Sequence, residues 1–319
     1  MHYNNTIISS KIIFKKVLRL MGNRFELSAV ATEEDEAWAV NCIETAIGEI
    51  RRIEALLTTF NEESQVNLVN RNAGIKPVKV DKELIDLVER SKKIADVTQG
   101  AFDISFGSID KRLWNFDKNM TSLPNAKIAR RLVKLINYKN VITDPVNSTI
   151  FLKEKGMRIG FGGIGKGYAA ERAKYILKQN GVDSGIVNAA GDLTTWGLQP
   201  DGKPWTIGIA SPDGAHAPFS WLNITNMSVA TSGNYEKYVM IGGKKYSHTI
   251  DPRTGLPVHG IKSVTIISPN AEIADAMATP VMIMGVAVGL NMINQVKGIE
   301  CIIIDEEDRI YTSANINIV

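Results

Sequence analysis

The 319-residue chain is poor in the residues that staple small folds or gather metals: it has two cysteines, Cys42 and Cys301, and four histidines, His2, His216, His248 and His259. Two cysteines so far apart form no disulfide scaffold, and neither lies in a CxxC or other metal-ligating spacing. Both sit in apolar stretches and read as small buried hydrophobes. Long apolar runs are also missing, since none reaches the ~20 residues of a membrane span. The start, residues 6–16, is basic and apolar, but Lys11, Lys15 and Lys16 interrupt it. No small-residue cleavage site or nearby cysteine follows, so no signal peptide or lipobox is expected. That reading makes the protein cytoplasmic; a trimmed natural N-terminus would make it periplasmic or membrane-anchored. An excess of charge of one sign is missing too: 37 Lys+Arg against 34 Asp+Glu leave +3. Both signs are interleaved, as in Lys153-Glu154-Lys155, so no basic face for nucleic acid is expected. With 44% apolar residues the chain is neither disordered nor of low complexity.

What is present is a chain long enough for a large core. Residues 1–16 read as a loose extension, and 17–27 as a strand interrupted at Gly22, where a bulge or a close ligand is expected. Thr32, followed by Glu33, Glu34 and Asp35, starts a helix that Val40, Ile43, Ile47, Ile50, Ile53 and Leu57 continue at helical spacing. A second helix opens at Asp81, and a third follows Pro124 with Ile128, Leu132, Leu135 and Ile136 on one face. Short strands are expected at 141–143, 149–152 and 157–159, then a helix at 166–179 stopped by Asn180-Gly181. Strands at 185–188, 205–209, 221–224, 237–241 and 263–267 precede a last long helix from about Ala271. A hairpin of 301–304 and 310–312 closes the chain. Early helices and many short later strands give an α+β class rather than a doubly wound α/β fold.

The sharpest local feature is Gly160-Phe161-Gly162-Gly163-Ile164-Gly165-Lys166-Gly167. It satisfies G-x-G-x-x-G, but the alternating strands and helices of a dinucleotide fold are missing around it. It also satisfies a phosphate-binding P-loop up to Gly167, which stands where a Ser or Thr hydroxyl should hold Mg²⁺. What remains is a plain tight turn or another kind of phosphate or cofactor loop, with backbone N–H groups and a helix N-terminus facing an anion. Asp275 and Thr279, four apart in a helix of small residues, share one face. They read either as a hard-cation pair or as an early-turn acid and a Thr bonding back along its helix. Pro280 disfavours helical geometry at Thr279, and a kink there would free carbonyls. His248 sits in a Pro- and Gly-built turn, Ser247-His248-Thr249-Ile250-Asp251-Pro252-Arg253-Thr254-Gly255. Its imidazole could take a proton from a hydroxyl or be structural. Ala190-Gly191-Asp192 and Thr231-Ser232-Gly233-Asn234-Tyr235-Glu236 are further polar loops.

Taken in order, these segments resemble the ApbE family, the FAD:protein FMN transferases. The resemblance is carried by Met21-Gly22-Asn23, by Thr58-Thr59-Phe60 with Ser64 and Asn67, and by Gly100-Ala101-Phe102-Asp103. It continues through 161–170, Gly191-Asp192, 230–236, 248–255 and 274–279, and so spans residues 17–319. The resemblance implies an ApbE-like, T-fold-like mixed α/β domain over 17–319, mainly antiparallel, with a cofactor cleft between subdomains. It implies transfer of FMN from FAD to a Ser or Thr hydroxyl of a target flavoprotein, with release of AMP. By the same resemblance Ala169 (through its carbonyl), Asp275 and Thr279 would hold Mg²⁺. Met21, Phe60, Ala101, Phe102, Asp103, Lys166, Arg172 and Ile250 would contact FAD, with His248 as base and Asp275 as catalytic metal ligand.

This chain departs from the family pattern at Asn23 (usually Thr), at Ile104-Ser105 (usually Pro-Thr), at Asn234 (usually Asp) and at Pro280 (usually Ala). None of these removes a side chain implied to hold the metal. Hydrolysis of FAD to FMN and AMP, or FAD binding without catalysis, are the alternative functions. The aromatic at Phe60 favours transfer over hydrolysis, and the acceptor protein and oligomeric state are left open.

Overall fold

The computed structural model describes residues 10–109, 122–209, 220–234 and 238–316. His2, His216, Tyr235 and Glu236 lie outside the described residues. The chain opens with a hairpin of β1 (Lys11–Leu20) and β2 (Asn23–Thr32), paired in antiparallel register from Leu20 opposite Asn23 to Lys11 opposite Thr32. Two expectations are corrected here. Residues from Lys11 onward belong to β1 and not to a loose extension, and Gly22 does not interrupt one strand but turns between two. Met21 and Gly22 both have positive φ (50° and 74°), the geometry of a two-residue turn matched to strand twist. Gly adopts it freely; Met21 is held there as Asn23 donates its side-chain N–H to the Met21 carbonyl at 2.8 Å.

A 3₁₀ turn then leads into α1 (Glu36–Leu57), followed by α2 (Gln65–Arg71), β3 (Val78–Lys79) and α3 (Lys82–Val97). Along α1, Ile43, Ile47, Ile50, Ile53 and Leu57 are buried, while Val40 faces solvent. Burial of each such isoleucine contributes about 2 kcal/mol. Next come α4 (Ala126–Leu132), β4 (Val141–Asp144), β5 (Thr149–Leu152) and α5 (Gly165–Gln179). The helix after Pro124 ends at Leu132, short of Leu135 and Ile136, and Ile128 is exposed. Its buried residue is Ala129, against which Gly255 packs. No strand forms at 157–159. Asn70 instead bonds both the N–H and the C=O of Ile159 (2.7 and 3.1 Å), and the Ser108 hydroxyl does the same for Arg158 (2.8 and 3.1 Å), so side chains replace a neighbouring strand.

The second half contributes β6 (Gly185–Ala189), β7 (Asp192–Trp196), β8 (Trp205–Ile209), β9 (Ser220–Ile224), β10 (Ser228–Gly233), β11 (Tyr238–Ile241), β12 (Lys244–Ser247) and β13 (Ile261–Ser268). The expected long last helix is divided at Gly285 into α6 (Ala271–Met284) and α7 (Val286–Ile293), and β14 (Glu300–Asp305) and β15 (Ile310–Thr312) form the closing hairpin. Eight strands make one antiparallel sheet in the order β1-β2-β6-β7-β10-β13-β14-β15. Its alternation sorts two faces. Phe25, Leu27, Val264 and Ile266 join the main core with residues of α1, α5 and α6, whereas Val30, Val229 and Ile267 pack with Trp205, Ile207 and Ile209 of the β8–β9 hairpin. The fold is thus helices on one face and a hairpin on the other, a mixed α/β architecture with antiparallel sheets.

Both cysteines are buried, and burial raises both thiol pKa values, Cys301 to about 12 with Glu300 adding to the effect. At pH 8 the native protein should leave a disulfide reagent such as DTNB unreacted over minutes and titrate two thiols once unfolded in guanidinium. Fast reaction of either thiol in the native state would contradict this packing.

Candidate active site

The site is built where two helix N-termini meet. Helix α5 starts at Gly165 with no side-chain cap from its own N-cap residue, Ile164. An orphan N–H of its first turn, that of Gly167, is satisfied by Asp275 Oδ2 of α6 at 2.9 Å. In return Glu171 Oε1 of α5 accepts the N–H of Ala271, the first residue of α6, at 2.8 Å. Each helix caps the other, with a carboxylate at the positive end of each dipole. Contact this close leaves no room at Gly167, where a Cβ would lie 2.2 Å from the Ala271 carbonyl oxygen and 2.8 Å from Asp275 Cβ.

Lys166 lies between two carboxylates, its ammonium 2.7 Å from Asp192 and 3.3 Å from Asp275. Asp192 begins β7, directly after the two-residue turn of Ala190 and Gly191, and takes a backbone N–H from Thr231 of β10. Burial would lower the Lys166 pKa, but Asp275 and Asp192 outweigh it and hold it above the ordinary lysine range. Burial, reinforced by the charge of Asp275, raises the Asp192 pKa, and Lys166 opposes that rise. One turn beyond Asp275, Thr279 Oγ1 is 3.4 Å from Ser232 Oγ of β10. Helix α6 runs unbroken through Pro280. With no N–H, Pro280 necessarily leaves the Ala276 carbonyl without its helical donor. Ala169, fully buried on α5, is two residues beyond Gly167.

Beside this cluster is a cavity of about 500 Å³ lined by Met21, Gly22, Asn23, Glu54, Leu57, Thr58, Thr59, Phe60, Gly160, Phe161, Gly162 and Lys166. The Gly-rich segment therefore does line a ligand-sized space, but the helix end behind it is already taken by Asp275. Of the residues expected around a flavin, Met21, Phe60 and Lys166 are brought together here. Phe102 packs nearby, its ring 3.6 Å from the Cβ position of Gly163. Ala101 and Asp103 adjoin it in the chain, and both Asp103 oxygens are engaged: Oδ1 by Ser105 N–H and hydroxyl (2.8 and 2.6 Å), Oδ2 by Tyr138 N–H (2.8 Å). Burial raises the Asp103 pKa against these bonds. The 248–257 turn reaches this segment through Arg253, whose Cγ is 4.0 Å from the Cβ position of Gly100. There His248 is exposed, and Ile250 is buried against Val239. Arg172 is elsewhere. Its guanidinium pairs with Glu49 and lines a second cavity with Lys82, Glu83, Asp86, Arg90 and Tyr168. Lys166 and Arg172 are six residues apart, which at ~100° per residue turns them to different sides of α5.

Asp192, Ser232 and Glu54 were not among the expected site residues. Asp192 and Ser232 stood in the polar loops singled out from the sequence; Glu54, on an ordinary helix, gave no signal.

The ApbE family model matches residues 21–303. The chain is 34% identical over 267 residues to an FAD:protein FMN transferase of Klebsiella pneumoniae (strain 342), over 83% of this chain and 82% of that protein. It is 28% identical over 282 residues to the FAD:protein FMN transferase of Treponema pallidum (strain Nichols), over 84% of this chain and 78% of that one. Among solved structures, the ApbE protein of Thermotoga maritima aligns with a TM-score of 0.83 at 28% identity, over 95% of this chain and 97% of that one. The apo form of the Pseudomonas stutzeri flavinyl transferase ApbE gives 0.80 at 25%, over 96% and 95%. Fold and relatives define an enzyme of the transferase class. The chain belongs to the ApbE family.

Replacing Gly167 by Ala should destabilise the protein by about 1–3 kcal/mol, the range for overpacking a tight core. At Gly162 no heavy atom lies within 4 Å of an added Cβ, so Gly162→Ala should leave stability nearly unchanged. Urea denaturation of both variants tests the contrast.

Proposed function

We propose that the chain transfers FMN from FAD to a Ser or Thr hydroxyl of a target flavoprotein, forming a phosphoester and releasing AMP. The observation that carries the reading is Lys166. Lys166 lines the 500 Å³ cavity and its ammonium touches both carboxylates, so a ligand in the cavity lies beside the charged cluster. Met21 and Phe60 offer a polarizable thioether and an aromatic face to a planar ring system. Gly160 and Gly162 bring bare backbone to the same space, so that phosphate oxygens can approach closely.

The cluster also has the character of a hard-cation site. With both carboxylates ionised, Asp192, Asp275 and Lys166 carry a formal charge of −1 together, which repels a diphosphate, and a divalent cation would invert that sign. Among the described residues no three of His, Cys, Asp and Glu gather as a metal cluster. The donors would be mixed oxygens: the Asp275 carboxylate, the Thr279 hydroxyl and the Ala169 carbonyl, a set suited to Mg²⁺. Bound there, Mg²⁺ would neutralise diphosphate charge and stabilise the AMP leaving group.

The chain's own residues supply the rest. Lys166 holds the anionic diphosphate beside the cluster. The acceptor oxygen attacks the FMN-side phosphorus in line, the bond from that phosphorus to the bridging oxygen breaks, and AMP departs with the oxygen. His248 accepts the hydroxyl proton on a ring nitrogen. An exposed base suits a nucleophile that arrives on a second protein.

The test is incubation with FAD, Mg²⁺ and an acceptor flavoprotein, with AMP and protein-bound flavin as readouts. Both products should form, and EDTA or Asp275→Ala should abolish both. His248→Ala should slow transfer by on the order of 10²–10⁴-fold, the usual worth of a general base. AMP without adduct would make the protein a hydrolase, and neither product a binder. Full activity in His248→Ala would remove that residue from the mechanism and leave the metal role standing.

A further inference from the structure

Phe60 is 98% exposed at the rim of the cavity, yet the backbone that carries it is anchored at every side. Asn67, in α2 and 3% exposed, spends both side-chain N–H groups on this loop. It donates to the carbonyl of Thr59 at 2.9 Å and to that of Asn61 at 2.7 Å, the residues on either side of Phe60. Phe60 N–H donates to Thr58 Oγ1 at 3.1 Å. The Ser64 hydroxyl donates to the Thr58 carbonyl at 2.7 Å and its oxygen caps α2 by accepting the N–H of Asn67 at 3.1 Å. The main chain around Phe60 is thus fixed from within the fold, and its ring is left bare.

An exposed ring contributes nothing to folding, so this clamp serves something other than burial. A loop ordered in advance loses little freedom when a flat ligand stacks on its aromatic tip, which raises affinity without any added contact. We propose that Asn67 is a positioning residue that acts on the flavin substrate through Phe60, holding the ring ready to stack. The inference rests on the reading that FAD occupies the cavity.

The test is a double-mutant cycle on FAD binding in the presence of Mg²⁺, followed by flavin fluorescence, with Phe60→Ala, Asn67→Ala, the double variant and the unaltered protein. Each single variant should weaken FAD binding about 3- to 10-fold, the scale of one aromatic contact. The double variant should bind no more weakly than Phe60→Ala, because a clamp has no effect once its ring is gone. If Asn67→Ala binds FAD as tightly as the unaltered protein, if Phe60→Ala does, or if the two losses multiply in full, the inference is overturned. Failure of the unaltered protein to bind FAD would overturn the flavin reading itself and this inference with it. Should Asn67→Ala not fold, Thr58→Val takes its place in the cycle: it keeps shape but removes the acceptor for Phe60 N–H, and the same non-additivity is expected.

Discussion

The reciprocal capping of α5 and α6 is the constraint on which the site depends. Asp275 accepts the Gly167 N–H of α5, and Glu171 of α5 accepts the Ala271 N–H of α6. A hydrogen bond to a charged group contributes about 1.5–3 kcal/mol, but the geometric consequence matters more. With both ends tied, Asp275 has one orientation, and Thr279 one turn later is brought to Ser232. Glu171 extends the tie into the sheet, since the same oxygen receives Lys174 at 2.8 Å, Thr194 of β7 at 3.2 Å and Ser228 of β10 at 3.3 Å. Functional groups held on the ends of regular elements in this way keep their positions better than groups on free loops.

How much of this was legible depended on whether a pattern was local. The 3.6 period of Ile43, Ile47, Ile50 and Ile53 announces α1, and Asn180-Gly181 marks the end of α5, because both signals lie within one element. Strand β7 carries no sequence signal beyond Asp192, the end of a polar loop: all five of its residues are buried and two are Thr, so it shows no alternation. Residues 157–159 look like a strand, but what satisfies Arg158 and Ile159 are the side chains of Ser108 and Asn70, far away in the chain. The candidate site divides the same way. Gly160 to Gly167 stands out as a glycine pattern, yet nothing local says that the anion at that helix end comes from Asp275. Arg172 shares a helix with Lys166 and was grouped with it; only the packing of α1 on α5 reveals that Glu49 takes its charge.

At Asn23, Ser105 and Asn234, where this chain leaves the family pattern, the residue present makes a local bond. Asn23 donates into its own turn at Met21. Ser105 gives its N–H and hydroxyl to Asp103 and accepts the N–H of Asn137 at 2.8 Å, tying residues 103–105 to the segment before β4. Asn234 is fully buried and donates its amide to the Ile261 carbonyl, a bond that an ionised Asp could not make. Pro280 is accommodated within α6, whose helix continues to Met284.

Charge economy explains why a protein with a net charge of +3 can be read as handling a dinucleotide without a basic face. Three arginines of the helix layer are spent on carboxylates: Arg172 on Glu49, Arg52 on Glu49 and Glu83, Arg90 on Glu272. Among the described residues that line the cavity Lys166 is the cation, and two aspartates accompany it at the cluster. In a partly buried site a single ammonium acts more strongly than an array of solvated ones, because water screens it less. Its two carboxylates keep it charged and fixed.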